Sequence, residues 1–452
     1  MERWGAMRSP TESDRSESDR SDRSALWPSL LGATVILVMA AMQFVDFRHG
    51  VAGRPWIVSF QFVLCAAATL VAAPSAWRRR GELSPAAWWL AGAFSLISAW
   101  SVVSSLVAPR AVIRQGEIPR IYQLMPAATG WLTMTAALTV VAAMGRTVRG
   151  RVLPGAGLVV LTGTLSDWPV QADIHHSPRV ASGMGGSAVL HVALLLAATV
   201  LVDRGLAARR DGRPRGVVLG WWAGAAAGLA LTCLTGSRSG LVMLAVTAVL
   251  VLVTWGRGTA RRVILGLVAA GALILWAAVS LVPSLHRFTV WQSPLRVATY
   301  RAALDAVTAG PAKILAGVGS GTLFPWYAVE AKHIPAPGDG RVIGPDGAVL
   351  SSAHSLYVAV GAELGVVMLA VLLMIVGLLW KKAVDAVRSG GRIGAPVTTL
   401  ALAATTVAWV FDTYLTKNFS LSLWWWTVAF TALSAAPPSP AGNTDPSRSS
   451  GA

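Results

Sequence analysis

The stretch LYVAVGAELGVVMLAVLLMIVGLLW, residues 356–380, decides the class of fold. Its 25 residues contain a single Asp, Glu, Lys, Arg or His side chain, Glu363. A helix of about 20 mostly apolar residues crosses the hydrocarbon core of a bilayer, so this run is long enough to span it. Similar runs recur along the 452-residue chain, in which 54% of residues are hydrophobic and only 13% are charged. The sequence therefore predicts an all-α polytopic membrane protein rather than a set of soluble domains.

Charge and cysteine content narrow the possible functions. The formal net charge is +17, which in a membrane chain is typical of basic loops that face anionic lipids rather than of nucleic-acid binding. Cys65 and Cys233 both lie inside apolar runs, which excludes a disulfide framework and a cysteine zinc site. The tryptophans at 424–426 stand near the end of an apolar run. That position is typical of an aromatic belt at the membrane interface.

Twelve apolar segments are predicted to cross the membrane, within a transmembrane domain of residues 25–436. The polar residues 1–24 and residues 437–452 are predicted to be disordered cytoplasmic tails. The fifth segment is short and contains Pro154 and Gly155, so a broken or partly re-entrant helix is an alternative there. The predicted spans are 25–47, 55–73, 85–107, 121–144, 152–166, 187–202, 216–234, 240–255, 263–282, 353–379, 396–411 and 419–436.

The distribution of basic residues predicts the orientation. With the N-terminus inside, the cytoplasmic connections hold 18 Lys and Arg residues and the short outer connections hold 8. Both termini are therefore expected to be cytoplasmic. The one long connection, residues 283–352 between the ninth and tenth spans, then lies on the outer face. Its part 294–309 is predicted to be an amphipathic helix and its part 325–345 to be irregular, and a loop of this length is typically functional.

Three arginines of the predicted outer face are candidates for binding phosphate. Arg179, Arg238 and Arg296 each stand at a membrane boundary beside small residues. A guanidinium is always charged and binds phosphate oxygens through a planar, bidentate fork. Several of them together would hold a lipid diphosphate without a metal. The alternative is that each one contacts only lipid headgroups.

His354 and Glu363 are the other ionisable candidates. His354 precedes the tenth span, where a helix N-terminus disfavours the imidazolium and leaves a neutral imidazole that is able to accept a proton. An ordinary polar boundary residue is the alternative. Glu363 lies about 13 Å deeper along the helix. A carboxyl group at that depth is a candidate for function, or for pairing with a neighbouring helix.

The glycine-rich segment Gly317-Val-Gly-Ser-Gly321 lacks the lysine pattern of a nucleotide-binding loop. Close approach of its backbone to a ligand, or a tight turn, explains it better, and Gly319 is its centre. The sequence also contains no Asp-x-Asp pair of the kind used by metal-dependent sugar-nucleotide transferases. Chemistry without a metal or another cofactor is therefore favoured.

These motifs, in this order on a chain of many spans, resemble the O-antigen ligase and O-antigen polymerase family of bacterial envelope enzymes. The match covers roughly residues 150–380. One departure is Ser355, which stands where many members have Asn after the histidine. The segments that carry the resemblance are Pro178-Arg-Val-Ala-Ser-Gly183, Thr235-Gly-Ser-Arg-Ser-Gly240, Ser293-Pro-Leu-Arg296, Ala316-Gly-Val-Gly-Ser-Gly321 and Ala353-His-Ser-Leu-Tyr-Val-Ala-Val-Gly-Ala-Glu-Leu-Gly365.

The resemblance implies a GT-C-like fold and a metal-independent, inverting glycosyltransferase of the inner (cell) membrane. The donor would be a glycan on undecaprenyl diphosphate, and the acceptor a hydroxyl group of a glycan, a lipid or a protein. By motif, His354 would be the base, while Arg238 and Arg296 would bind the diphosphate with help from Arg179. Further candidates for support are Arg301, Glu363 and Gly319.

The sequence leaves alternatives open. A ligase and a polymerase share these motifs and differ in the acceptor. The preference for Arg over Lys, 33 to 5, suggests a high-GC genome and a capsule, exopolysaccharide or wall glycan as the product. A non-enzymatic transporter or flippase of a lipid-linked glycan is the competing class, although its ionisable groups and broken helices are expected at the membrane midplane. If His354 is not the base, Glu330 and Asp305 are the next candidates.

Overall fold

The computed structural model describes residues 27, 30–38, 55–108, 112–113, 116–174, 176, 179–255, 262, 266, 280, 294–331, 343–344, 347–348, 352–391 and 395–435. This part of the chain is predominantly helical, as predicted. Most of the first and ninth predicted spans, and both terminal tails, lie outside the described residues.

The helices of the first half of the chain form a membrane-like bundle. They follow the predicted spans closely, and two two-residue strands, β1 (Val112–Ile113) and β2 (Gly116–Glu117), pair antiparallel after the second helix. A helical stretch also covers residues 30–38. The helices are α1 (Pro55–Arg78), α2 (Pro85–Val107), α3 (Arg120–Ile174), α4 (Leu190–Arg210), α5 (Arg215–Leu234) and α6 (Arg238–Trp255).

The second half begins with the predicted outer connection. The helix expected there is present. The region expected to be irregular, 325–345, contains one short helix and the strand β3 (Ile343–Gly344), which pairs antiparallel with β4 (Gly347–Ala348) just beyond it. The helices are α7 (Pro294–Thr308), α8 (Pro311–Ala316), α9 (Trp326–Glu330), α10 (Leu356–Arg388), α11 (Pro396–Ala408), α12 (Tyr414–Lys417) and α13 (Phe419–Leu433).

Seven of the described helices are long and apolar enough to cross a membrane. They lie in the ranges Phe60–Arg78, Pro85–Val107, Arg120–Arg146, Leu190–Arg210, Arg215–Leu234, Arg238–Trp255 and Leu356–Arg388. The helices α11 and α13 are apolar but have only 13 and 15 residues. The chain is therefore a polytopic, membrane-embedded helical protein, whereas the total of twelve spans stays a prediction.

Two features differ from the sequence-based expectation. Helix α3 is kinked at Gly145, which has φ of +64°, and then continues as helix through Pro154. The kink therefore precedes the fifth predicted span instead of interrupting it. Trp424, Trp425 and Trp426 are fully buried rather than part of an interfacial belt. Their helix, α13, packs against α2, α3, α4 and α11, which encloses its indole rings from several sides.

The described connections gather at two ends of the bundle. At one end, Leu356 N–H donates to Trp409 O (2.7 Å), and Val180 N–H donates to Leu234 O (3.2 Å). We call this the histidine end, because it includes His354. At the other, arginine-rich end, Glu82 accepts from the Arg146 N–H (3.1 Å). The two groups of connections therefore lie at opposite ends of the described helices.

Candidate active site

His354 occupies a strained position just before α10. Its φ is +49°, a left-handed conformation that costs a non-glycine residue about 1–3 kcal/mol. The turn is held by Ser352, whose hydroxyl accepts the His354 N–H (3.1 Å), and by Ser355, the N-cap of α10, whose hydroxyl donates to Trp409 O (3.3 Å). The side chain of Ser355 is buried, so it fixes the backbone rather than the imidazole. The His354 side chain itself is exposed.

Two cations lie beside this turn. The Lys417 ammonium donates a hydrogen bond to the Ser352 hydroxyl and stands 4.6 Å above the centre of the Trp326 ring. The Arg296 guanidinium, on the first turn of α7, lies 5.7 Å from the centre of the Phe411 ring. These aromatic faces hold both charges in place beside the turn.

The electrostatics of the cluster favour a neutral imidazole. Although the His354 side chain is exposed, the protein packed around it disfavours the imidazolium, and together with the charges of Lys417 and Arg296 this lowers its pKa from 6.5 to about 4. The direction is the one expected from the sequence, but the causes are desolvation and nearby cations. At neutral pH the imidazole is therefore free of its second proton and able to accept one.

Asp412 completes the charge distribution. Its carboxylate accepts the Thr413 N–H (2.6 Å). Burial raises its pKa, and the charges of Lys417 and Arg296 oppose that rise. One carboxylate thus faces two cations, which leaves an excess of positive charge beside the imidazole. Such a site suits an anionic ligand.

Arg179 and Arg238 form a second cluster around the turn between α5 and α6. The Arg179 Nε–H donates to Thr235 O (2.8 Å). The Arg179 side chain packs over Gly236, whose φ is +64°. Arg238 opens α6, and its buried Nε has no hydrogen-bond partner within the described part of the chain. A buried guanidinium nitrogen of this kind is a group that an anionic ligand would satisfy.

The turn of this second cluster is tied to α4 through serine hydroxyls. Ser237 and Ser239 share a hydrogen bond (2.8 Å), and Ser239 is also bonded to the His191 Nε2 (3.2 Å). These bonds fix the start of α6, and with it the place where Arg238 leaves the backbone. The cluster is therefore positioned by buried side chains rather than by solvent-exposed loop residues.

Both clusters lie at the histidine end. A Cβ atom built on Gly185 would stand 3.2 Å from the side-chain nitrogen of Asn418, the residue after Lys417. The side-chain oxygen Oδ1 of Asn418 also accepts the Leu421 N–H (2.9 Å) and so caps α13. The segment that follows Arg179 thus abuts the segment that carries Lys417. The structure brings Arg296 to His354, and Arg179 to the Thr235–Gly236 turn beside Arg238.

The glycine-rich segment and Glu363 meet inside the bundle. Helix α10 is broken at Gly365, where φ is +83°. Into this break Val318 N–H donates to Ala362 O, and Gly319 N–H donates to Glu363 O, both at 3.0 Å. The Glu363 carboxylate in turn accepts the N–H groups of two residues of the same segment, Leu323 (3.2 Å) and Phe324 (2.9 Å). Gly319 and Glu363 therefore connect the segment 317–324 to α10.

The remaining candidates lie on the surface or outside the described side chains. Arg301 and Asp305 are exposed on α7. The side chain of Glu330 lies outside the described residues. Sequence reasoning missed Lys417 and Asp412 as site residues. Their signal was a short connection between two apolar runs, residues 412–418, in which five of the seven side chains are Asp, Thr, Lys or Asn.

Among the residues that the structure describes, no group of three or more His, Cys, Asp or Glu side chains could hold a metal ion. The chain matches no known protein-family model, and a search of the curated proteins likewise finds no significant match. The geometry of the two clusters and the order of the sequence motifs therefore carry the functional argument.

Proposed function

We propose that this chain is a membrane glycosyltransferase that moves a glycan from undecaprenyl diphosphate to an acceptor hydroxyl. The observation that carries the proposal is a neutral, accessible imidazole at His354 with Arg296 and Lys417 beside it. A base next to an anion-binding site is what this reaction needs, because a diphosphate is already a good leaving group.

The proposed step is a direct displacement. The His354 imidazole accepts the proton of the acceptor hydroxyl while the hydroxyl oxygen attacks the anomeric carbon of the donor. The bond from that carbon to the phosphate oxygen breaks, and undecaprenyl diphosphate leaves with the bonding electrons. Arg296 and Lys417 stabilise the negative charge that develops on the leaving group, and the unpartnered Nε of Arg238 is a further donor for it.

The proposal extends to topology. We place twelve spans in the inner (cell) membrane in a GT-C-like arrangement, with both termini in the cytoplasm and residues 283–352 on the outer face. The excess of basic residues at the end opposite His354 supports this orientation. The polyprenyl chain of the donor would lie in the lipid with its diphosphate at the histidine end. Ligase and polymerase activities both fit this description.

One observation favours the alternative, a transporter or flippase. A helix broken at Gly365 beside a buried Glu363 is the kind of feature that transporters use to bind substrate within the membrane. The carbonyl groups at this break, however, already accept hydrogen bonds from Val318 and Gly319. The break therefore anchors a segment of the protein itself, which supports the enzyme over the transporter.

The test of the proposal is an assay of glycan transfer. Purified protein is incubated with an undecaprenyl-diphosphate-linked glycan and a panel of glycan, lipid and protein acceptors. We expect release of undecaprenyl diphosphate together with a new glycosidic bond. Movement of the donor across a proteoliposome membrane with no new glycosidic bond for any acceptor would instead support the transporter.

Arginine-to-lysine exchange tests the diphosphate site. Arg296→Lys and Arg238→Lys keep the charge but lose the planar fork, at a cost of about 1.5–3 kcal/mol per charged hydrogen bond. Donor affinity and transfer rate are expected to fall by about tenfold or more in each variant. Arg213→Lys, an exposed arginine at the other end of the bundle, is the control. Wild-type turnover in Arg296→Lys and Arg238→Lys would show that these arginines contact lipid headgroups and do not bind the diphosphate.

The pH dependence of transfer tests the state of His354. Because its pKa is lowered to about 4, the base stays neutral as the pH falls through 6.5, and it gains its second proton only near pH 4. The acid limb of the pH–rate profile is therefore expected near pH 4. Lys417→Met removes one of the repelling charges and should move this limb to higher pH. An acid limb at 6.5 in both proteins would show an imidazole outside this electrostatic environment.

A further inference from the structure

A second site of different chemistry lies at the arginine-rich end. There a cavity of about 300 Å³ opens between α3, α4, α11 and α13. Apolar side chains, among them Leu153, Pro154 and Val200, form most of its walls. Three arginines, Arg146, Arg149 and Arg204, and one carboxylate, Asp203, supply its charge.

The carboxylate and one of the arginines already have partners within the protein. Asp203 accepts the N–H groups of Val397 (3.1 Å) and Thr398 (2.8 Å) at the start of α11, where the positive end of the helix dipole offsets its charge. Arg149 is buried and paired with Glu82 at 3.3 Å. The acidic group in the cavity is thus engaged by protein donors.

The other two arginines are available. Within the part of the chain that the structure describes, the side chains of Arg146 and Arg204 make no ion pair or hydrogen bond. Arg146 is exposed and Arg204 is half-buried. The buried hydroxyl oxygen of Thr431, which also lines the cavity, has no hydrogen-bond partner there either. Two guanidinium groups and a hydroxyl therefore line one apolar cavity, and none of the three has a hydrogen-bond partner among the described residues.

We propose that this cavity binds the phosphate headgroup of an anionic phospholipid. Arg146 and Arg204 would hold the phosphate oxygens, and Thr431 would donate a hydrogen bond. The apolar walls are suited to the glycerol and upper acyl chain, which a soluble phosphate lacks. Basic pockets between transmembrane helices on the cytoplasmic side recognise such headgroups, because that leaflet is rich in anionic lipid. The inference rests on the proposed orientation of the chain, with the arginine-rich end in the cytoplasm, and not on the proposed transferase activity.

Thermal melting of the full chain in detergent tests the site. Phosphatidylglycerol is titrated into the micelles, with phosphatidylcholine and inorganic phosphate as separate additives. A ligand that binds the folded state raises the melting temperature with its concentration. We expect phosphatidylglycerol to stabilise the protein and the other two additives to leave it unchanged. Equal stabilisation by inorganic phosphate or by phosphatidylcholine would overturn the assignment.

Two variants probe charge and space independently. Arg146→Gln combined with Arg204→Gln should weaken the apparent affinity for phosphatidylglycerol by about tenfold or more, as expected for the loss of charge-assisted hydrogen bonds. Gly150→Leu keeps every arginine but fills the cavity. A Cβ atom at Gly150 meets no atom within 4 Å, so this variant is expected to fold.

Arg209→Gln combined with Arg213→Gln is the matched control, because both of these arginines are exposed and line no part of the cavity. This control should bind as the wild type does. Unchanged affinity in both the charge variant and the space-filling variant would contradict the proposal. Equal weakening in the control would show general attraction to a basic surface instead of a defined site.

Discussion

Replacing His354 with alanine is expected to lower the rate of glycan transfer by about 10²- to 10⁴-fold, the range typical of general-base catalysis. The physical reason is that the neutral imidazole is the group placed to receive the acceptor proton beside Arg296 and Lys417. Donor affinity should stay near that of the wild type, because the arginines and the lysine bind the diphosphate. The measurement compares transfer and donor binding in the same membranes.

Two further variants separate catalysis from structure at this position. His354→Asn keeps a residue that tolerates the left-handed backbone conformation, so it should fold like the wild type and lose transfer like the alanine variant. Ser352→Ala removes the hydroxyl that accepts the His354 N–H and the Lys417 proton, and it should lower the rate less. Full transfer by His354→Ala would remove this residue as the base and direct attention to Asp412, or to Asp305 and Glu330.

The neighbourhood of His354 was only partly predictable from the sequence. Arg296 and His354 each stand beside a predicted membrane boundary, so a shared end of the bundle follows from counting spans. Lys417 and Asp412 are more than fifty residues from His354 in sequence. Their position depends on how α11 meets the start of α10, through the bond from Leu356 N–H to Trp409 O. No local periodicity encodes a contact of that kind.

The glycine-rich segment shows a different limit of prediction from sequence. Its composition predicted close approach of its backbone to a ligand, or a tight turn. In the structure the segment turns at glycines with positive φ, and its backbone approaches α10 rather than a ligand. Its partner could not be predicted, since Gly319 bonds to the backbone of Glu363, a residue that the sequence placed deep in a continuous helix. The prediction that the tryptophans at 424–426 form an interfacial belt was wrong for a related reason. A position near the end of an apolar run does not reveal how many neighbouring helices surround it.

The break in α10 leads to the largest expected effect on stability. Gly365 has φ of +83°, and a Cβ atom there would stand 2.1 Å from Leu315 O. Gly365→Ala therefore combines a strained backbone with a clash against another backbone segment, and we expect a loss of about 3 kcal/mol or more. Gly317→Ala should behave alike, because its Cβ atom would lie 2.2 Å from Glu363 O. The measurement is the melting temperature of purified protein.

Gly361 is the matched control within the same helix. Its Cβ atom would meet only the Leu369 side chain, at an ordinary 3.4 Å, so Gly361→Ala should keep or slightly raise the stability, since alanine favours helix over glycine. Gly365→Ala is also expected to impair transfer, because loosening the segment 317–324 displaces α7, and with it Arg296, relative to His354. If Gly365→Ala melted at the same temperature as Gly361→Ala, the segment 317–324 would not be docked in the helix break. The positioning of Arg296 would then need another cause.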